Sequence, residues 1–346
     1  MRPKVGGQKK RMTKGEIIAQ LLGKRQSVPC AGATAFAPAN IALCKYWGKR
    51  NAELNLPMAS SLSISLGELG SRVTLTPREA TDRFLLNGKL IPPESSFARR
   101  AAAFLDLFRP TPKFFFAVNA QNSIPTAAGL ASSASGFAAL TLALDKLFGW
   151  HLERRKLSIL ARLGSGSACR SVFEGFVEWR MGKAANGMDS FAEPLKLYWP
   201  DLRVGLVMVS TKEKSVGSRD AMQHTRDTSP LYATWPETVT RDLAELKFAI
   251  RERNFTKFGE IAEGNALAMH ATMIAARPAV LYWLPESVEA IHRVSRLRAE
   301  GCEVYFTMDA GPNLKLLFRK PNLRCVVKAF PNLQVIAPFS RKICCS

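Results

Sequence analysis

The order of the patterned segments constrains this chain most. Strand-like segments fill its front and helical ones its middle. Residues 34–37 open the folded body, and residues 72–76 alternate as a strand does. Residues 83–91 read as a hairpin, because Asn87-Gly88 suits a type I′ turn. Residues 113–118 read as a buried strand. Residues 130–148 form the clearest helix, and 152–163 a second one. Strands are expected again at 172–180 and 202–210, then helices near 236–251, 255–270 and 285–300. A last hairpin, 303–308 with 314–319, closes around Asp309-Ala-Gly-Pro-Asn313. This order predicts an α+β fold with layers of sheet and helix, not a regularly alternating doubly wound one. The 346 residues suit one large domain or two intimately packed ones. The expected divisions are a mobile basic extension at 1–30, an N-terminal half at 31–195 and a C-terminal half at 196–346.

Charge is the unusual part of the composition. There are 49 Lys and Arg against 28 Asp and Glu, for a net +21. A polyanionic partner follows: nucleic acid, an anionic membrane, or small phosphate esters. The excess is concentrated at the ends. Residues 1–25 hold eight basic residues and one acid (+7), and residues 319–346 hold six and none (+6), which leaves +8 for the rest. No base-stacking aromatic pattern or nucleic-acid motif accompanies it, so specific nucleic-acid binding is not expected. The seven cysteines are odd in number and irregular in spacing, with no C-x-x-C, so neither a disulfide framework nor a zinc site is expected. Reduced thiols in a cytoplasmic protein are. The longest apolar stretch, 136–150, is interrupted by Asp145 and Lys146 and is too short to span a bilayer. Residues 17–23 are short and contain Gln20, which argues against a secretory signal and for a solvated extension.

Four loops carry chemistry. Ile124-Pro-Thr-Ala-Ala-Gly-Leu-Ala-Ser-Ser-Ala-Ser-Gly136 leads into the clearest helix. Its small residues let backbone approach a ligand, and free amides at a helix start attract anions. The alternative is a small-residue helix packed tightly in a core. No G-x-x-x-x-G-K-[ST] occurs, which argues against a Walker-type NTPase. The second loop, Arg162-Leu-Gly-Ser-Gly-Ser-Ala-Cys-Arg-Ser171, presents Arg170, whose guanidinium can grip a carboxylate or phosphate, or be a surface arginine on a turn. The third, Asn40-Ile-Ala-Leu-Cys-Lys-Tyr-Trp-Gly-Lys-Arg50, sets Lys45, Lys49 and Arg50 beside Tyr46 and Trp47, as a phosphate site or a solvated charged face. In the fourth, Asp309 is either a turn former or a general base. Together they make a coherent phosphoryl-transfer site, whose work is positioning and neutralising negative oxygens.

From about Ala37 to Phe318 the chain resembles the diphosphomevalonate decarboxylases of the GHMP kinase superfamily. Lys45-Tyr-Trp-Gly-Lys-Arg50, Ser60-Ser-Leu-Ser63, Pro125-Thr-Ala-Ala-Gly-Leu-Ala-Ser-Ser-Ala134, Gly164-Ser-Gly-Ser-Ala-Cys-Arg-Ser171, Gly187-Met-Asp-Ser190 and Asp309-Ala-Gly-Pro-Asn313 carry the likeness, in order. The resemblance implies the GHMP kinase fold, an α+β fold with a ribosomal-protein-S5-like N-terminal half and an α+β C-terminal half around one cleft. It implies ATP-dependent decarboxylation of mevalonate 5-diphosphate to isopentenyl diphosphate, with ADP, phosphate and carbon dioxide released. ATP and Mg²⁺ are then required, and a homodimer is expected. The rivals are a relative that acts on mevalonate 5-phosphate or only phosphorylates, and, in another class, a basic RNA-binding protein with an S5-like half.

By resemblance, Asp309 orients or deprotonates the substrate hydroxyl, and Arg170 holds the substrate carboxylate. Lys45 stands near the reacting phosphate, and Asn40 supports the centre. Tyr46, Lys49, Ser165, Ser167 and Ser218 match positions that bind or orient the diphosphate arm. Gly129, Ala131, Ser132 and Ser133 fall in the nucleotide-phosphate loop. Metal ligands are left unassigned. Asp189 is a second candidate base, with a loop-stabilising role as its alternative, and His270 reads as a packed or hydrogen-bonded histidine. Arg219-Asp220 departs from the family pattern after Ser218 and adds charge near the expected diphosphate pocket.

Overall fold

A computed structural model describes residues 12–25, 28–123, 132–212 and 214–339. The chain begins with α1 (Lys14–Leu22), then β1 (Ala33–Cys44), β2 (Lys49–Asn51), β3 (Leu56–Pro57) and the 18-residue β4 (Ser61–Arg78). The hairpin β5 (Arg83–Leu86) and β6 (Lys89–Ile91) turns through Asn87 at φ 51° and Gly88 at φ 78°, the two left-handed positions of a type I′ turn. Next come α2 (Ser96–Leu105), β7 (Phe115–Asn122), α3 (Ser132–Leu147), α4 (Arg154–Gly164), a 3₁₀ turn at Gly166–Val172, β8 (Phe176–Trp179) and β9 (Ala192–Pro194). These build a sheet ordered β6-β5-β7-β4-β8-β9, with β1 also paired to β4.

The rest holds β10 (Leu202–Val207), α5 (Ser218–Thr228), α6 (Trp235–Arg251), α7 (Phe255–Ile274), α8 (Pro285–Ala299), β11 (Val304–Met308), β12 (Leu314–Arg319), α9 (Leu323–Ala329) and β13 (Gln334–Ile336). Its four strands form an antiparallel sheet ordered β11-β12-β10-β13. Sheets and helices therefore form layers, as an α+β chain requires.

Two cores meet along β1 and β4. Ala35, Ala37, Val73 and Leu75 join the first, with α3 and α4. Ala39, Ile41, Leu43, Leu62, Ile64 and Leu66 join the second, with α6 and α7. That explains the burial along β4. Ser61–Leu66 is buried residue by residue, because it is covered on both faces, whereas the later part is mixed. The ladder between β1 and β4 slips between Pro38 and Asn40 and again between Ala42 and Cys44. Such irregularities re-aim side chains. They fall beside Asn40 and just before Lys45.

Several expectations need correction. Residues 1–30 are not a mobile extension throughout. Thr13 and Glu16 close a capping box: Glu16 N–H donates to Thr13 Oγ1 at 3.2 Å, and Thr13 N–H donates to Glu16 Oε2 at 2.7 Å. Ile17, Ile18 and Leu21 then bury into the first core. The basic flanks hid an amphipathic turn. The cysteines are not all reduced. Cys302 and Cys325 form a disulfide, which a 23-residue separation does not signal. Residues 113–118 were expected as a buried strand, but the early part of β7 alternates, with one face open. The expected strand at 172–180 is shorter, because the 3₁₀ turn runs to Val172.

Candidate active site

Asp309 stands on the turn of the β11–β12 hairpin, just past the Met308–Leu314 pair. Lys45 Nζ donates to its Oδ1 at 3.0 Å, and Lys315 Nζ lies 3.2 Å from its Oδ2. Both lysine side chains are 2% exposed and the carboxylate 25%, so two sealed ammoniums hold one partly exposed carboxylate. Burial pushes Asp309 up, but the two lysines outweigh it and hold its carboxyl well below the usual range. Burial pushes Lys45 down to about 8, with Asp309 pulling the other way.

The surroundings fix this pair. Lys45 Nζ also donates to Ala42 O at 2.7 Å, and Lys45 N–H donates to Asn265 Oδ1 at 2.8 Å. Trp47 O accepts from Tyr232 at 3.1 Å and from Trp235 at 2.8 Å, which pins the Lys45–Lys49 segment to the helical layer. On the hairpin side, Asn313 Oδ1 accepts from Val209 N–H at 2.7 Å and Ser210 N–H at 2.9 Å. His270 Nε2 lies 3.2 Å from Asp309 O, and burial, reinforced by Lys45, pushes it down to about 3. A neutral imidazole donating to that carbonyl is the packed, hydrogen-bonded histidine expected.

Arg170 sits on the 3₁₀ turn and is buried. It donates to Ser61 Oγ at 2.6 Å and, through Nε and an Nη, to Asn40 Oδ1 at 3.3 and 3.2 Å. Asn40 Nδ2 donates in turn to Ser171 Oγ at 2.8 Å and Ser167 O at 3.3 Å. A guanidinium has five N–H groups, and these bonds use three. No carboxylate forms an ion pair with it among the described residues. The charge of Asp309 nonetheless reaches it and favours its charged form, against the burial that disfavours it.

The residues expected to hold the diphosphate arm have partners of their own. Tyr46 packs on Trp179 with ring centroids 4.7 Å apart, and its hydroxyl faces Gly166, where a Cβ would come within 2.8 Å. Ser165 ends α4 and is buried. Ser218 opens α5 and accepts from Lys214 Nζ at 2.6 Å. Lys214 Nζ also donates to Ala310 O at 2.8 Å, so it ties Ser218 to the Asp309 turn. Sequence reasoning missed Lys214, which looked like one more surface charge in Lys212-Glu-Lys214. It also missed Lys315, Ser61 and Ser171. Lys49 donates to Asn55 Oδ1 at 2.7 Å, and both residues line one cavity.

Of the nucleotide-loop residues, Gly129 and Ala131 lie outside the described residues. Ser132 begins α3, and Ser133 follows it, half-buried. Asp189 accepts from Lys183 N–H at 2.7 Å and Ala184 N–H at 2.9 Å, so its loop-stabilising reading holds. Among the described residues, no three His, Cys, Asp or Glu side chains gather as a metal cage. No helix there is long and apolar enough to cross a membrane.

Comparison with known proteins places this geometry. Residues 37–192 match the model of the diphosphomevalonate decarboxylase-like N-terminal domain, and residues 204–342 that of the mevalonate 5-diphosphate decarboxylase C-terminal domain. The human diphosphomevalonate decarboxylase is 39% identical over 310 residues, covering 82% of this chain and 76% of its own. That of Candida albicans is 38% identical over 309 residues, covering 84% and 85%. The crystal structure of mevalonate diphosphate decarboxylase from Staphylococcus aureus superposes with a TM-score of 0.83 at 36% identity, covering 89% of this chain and 95% of its own. MDDEF in complex with MVAPP, AMPPCP and magnesium superposes at 0.82 with 41% identity, covering 88% and 96%. With both halves matched in order and the fold shared with these solved structures, the chain belongs to the diphosphomevalonate decarboxylase family of enzymes.

Proposed function

We propose that this chain uses ATP to decarboxylate mevalonate 5-diphosphate, giving isopentenyl diphosphate, ADP, phosphate and carbon dioxide. The observation that carries this reading is the Asp309 carboxylate held between sealed Lys45 and Lys315, with buried Arg170 close enough to feel its charge. The γ-phosphoryl group passes to the tertiary hydroxyl at C3. The C3–O bond then breaks, carbon dioxide leaves, and the electron pair of the lost C–C bond becomes the new double bond.

Each residue has a part in that sequence. Asp309 accepts the hydroxyl's hydrogen bond and aims its oxygen at the phosphorus. The two lysines hold its carboxyl below the usual range, so Asp309 is ionised and free to accept that bond. Lys45, Lys214 and Lys315 outnumber the one acid they surround and neutralise the transferring phosphate oxygens. Arg170, held by Asn40 and Ser61, turns its two remaining N–H groups to the substrate carboxylate. Tyr46, Lys49, Ser165, Ser167 and Ser218 hold the diphosphate arm, and Gly129, Ala131, Ser132 and Ser133 the nucleotide phosphates. A magnesium ion bound with the nucleotide would screen its charge; the excess of cations around Asp309 suits an ion held mainly by phosphate oxygens rather than by these residues.

Incubation with ATP and mevalonate 5-diphosphate should release carbon dioxide and phosphate in step with ADP. ADP without carbon dioxide would make the chain a kinase, and faster turnover of mevalonate 5-phosphate would favour the monophosphate reading. The same proposal includes a homodimer working in the cytoplasm, which sedimentation velocity and cell fractionation test.

A further inference from the structure

A cavity of about 330 Å³ opens where α1, α2, α4 and α5 meet. Lys14, Lys49, Arg100 and Arg219 all line it, with Glu53 and Asp220 as its only acids. Three of its wall residues adjoin the proposed phosphate arm: Lys49 is part of it, Gly164 precedes Ser165, and Arg219 follows Ser218. Lys14 comes from a different source. It belongs to α1, which precedes the first matched domain by more than a dozen residues.

The place of Lys14 is built rather than incidental. The Thr13–Glu16 capping box fixes where α1 starts, and Ile17, Ile18 and Leu21 anchor it in the first core. The half-buried Lys14 is thereby set on the cavity wall against other cations. Burial and Arg219 both push its ammonium down, and only the more weakly acting Glu53 opposes them. Lys49 is pushed down to about 8 by burial, then by Arg219, Lys14 and Arg100. No salt bridge joins any of the four to an acid among the described residues. Like charges gathered in one cavity raise each other's cost until an anion neutralises them. Beyond Lys49 the wall continues with Lys14, which leaves cationic surface for a second phosphate group joined to the first.

We propose that Lys14 is a specificity-determining residue that binds the terminal phosphate of the substrate's diphosphate arm, so that α1 forms part of the site. The proposal rests on the function given above. It gives a physical reason for part of the basic N-terminal charge.

Binding of inorganic diphosphate, followed by calorimetry, and the KM for mevalonate 5-diphosphate test it together. In Lys14→Ala both should weaken about fivefold, the size of one partly screened charge-assisted contact. Lys14→Arg should restore most of the loss. Lys24→Ala, which removes an exposed charge from the same segment, should change neither. Wild-type values in Lys14→Ala, or an equal loss in Lys24→Ala, would overturn the proposal. If the wild type releases no carbon dioxide while Lys14→Ala still weakens diphosphate binding, the decarboxylase reading falls and the anion site stands.

Discussion

The proposed chemistry turns on three side chains whose charges are unequal in access. Lys45 and Lys315 are sealed, and of the three only Asp309 is partly exposed. Asp309→Asn keeps the shape but removes the charge that the two ammoniums face. Its kcat should drop by about 10³-fold, with nucleotide binding retained, as single-turnover and binding measurements would show. Near-normal turnover would remove Asp309 from the mechanism. The pH profile follows from Lys45. It sheds its proton near 8 when folded, against 10.5 in the unfolded chain, so kcat/KM should decline as pH rises through about 8. Between those values the unfolded chain binds more protons, so the contribution of Lys45 to stability rises with pH over the same window. Activity should thus fall while urea midpoints show no matching loss from this group. A flat kcat/KM to pH 10 would show that the Lys45 charge is not needed. Asp309, Lys45 and Arg170 were legible because each sits in a short motif with its own chemistry. Lys315 was not: in Leu314-Lys-Leu-Leu-Phe-Arg319 it looks like a strand's solvent-facing residue, and only the turn's geometry sets it beside Asp309.

At the scale of elements, packing decides where those groups stand. The β11–β12 hairpin that carries Asp309 rests on α7, and at Gly259 the fit leaves no room for a Cβ. A Cβ there would come within 2.0 Å of Tyr305, on β11. Gly259→Ala should therefore lift β11 from the helix, lowering stability by about 1–3 kcal/mol. It should also lower kcat, because the Asp309 turn moves with its strand. Denaturation together with steady-state kinetics checks both, and an unchanged urea midpoint would contradict the contact. The element order, both hairpins and the long helices were readable from periodicity and from turn residues such as Asn87-Gly88. α1 was not, although Thr13-Lys-Gly-Glu16 before Ile17 is a capping-box pattern. The surrounding positive charge suggested a solvated tail and drew weight away from three apolar residues.

At the scale of the molecule, the charge that first suggested nucleic acid is better matched to small phosphate esters met by a few placed cations. The matched domains end and begin at residues 192 and 204, which marks a natural place to divide the chain. The cores do not divide there. β1 and β4 belong to the first half, yet Ala39, Ile41, Leu43, Leu62, Ile64 and Leu66 serve the core of the second. A fragment of residues 1–195 should expose that apolar row and be recovered largely aggregated, whereas co-expression with residues 196–346 should restore soluble protein. A soluble, monomeric, cooperatively folding 1–195 fragment would show that the halves are separable. Shared strands of this kind bear on inheritance and engineering. A chimera that joins the first half of one family member to the second half of another must match side chains across β1 and β4, not merely join ends near residue 200. The two halves should therefore vary together among relatives, as one unit of exchange with the cleft inside it.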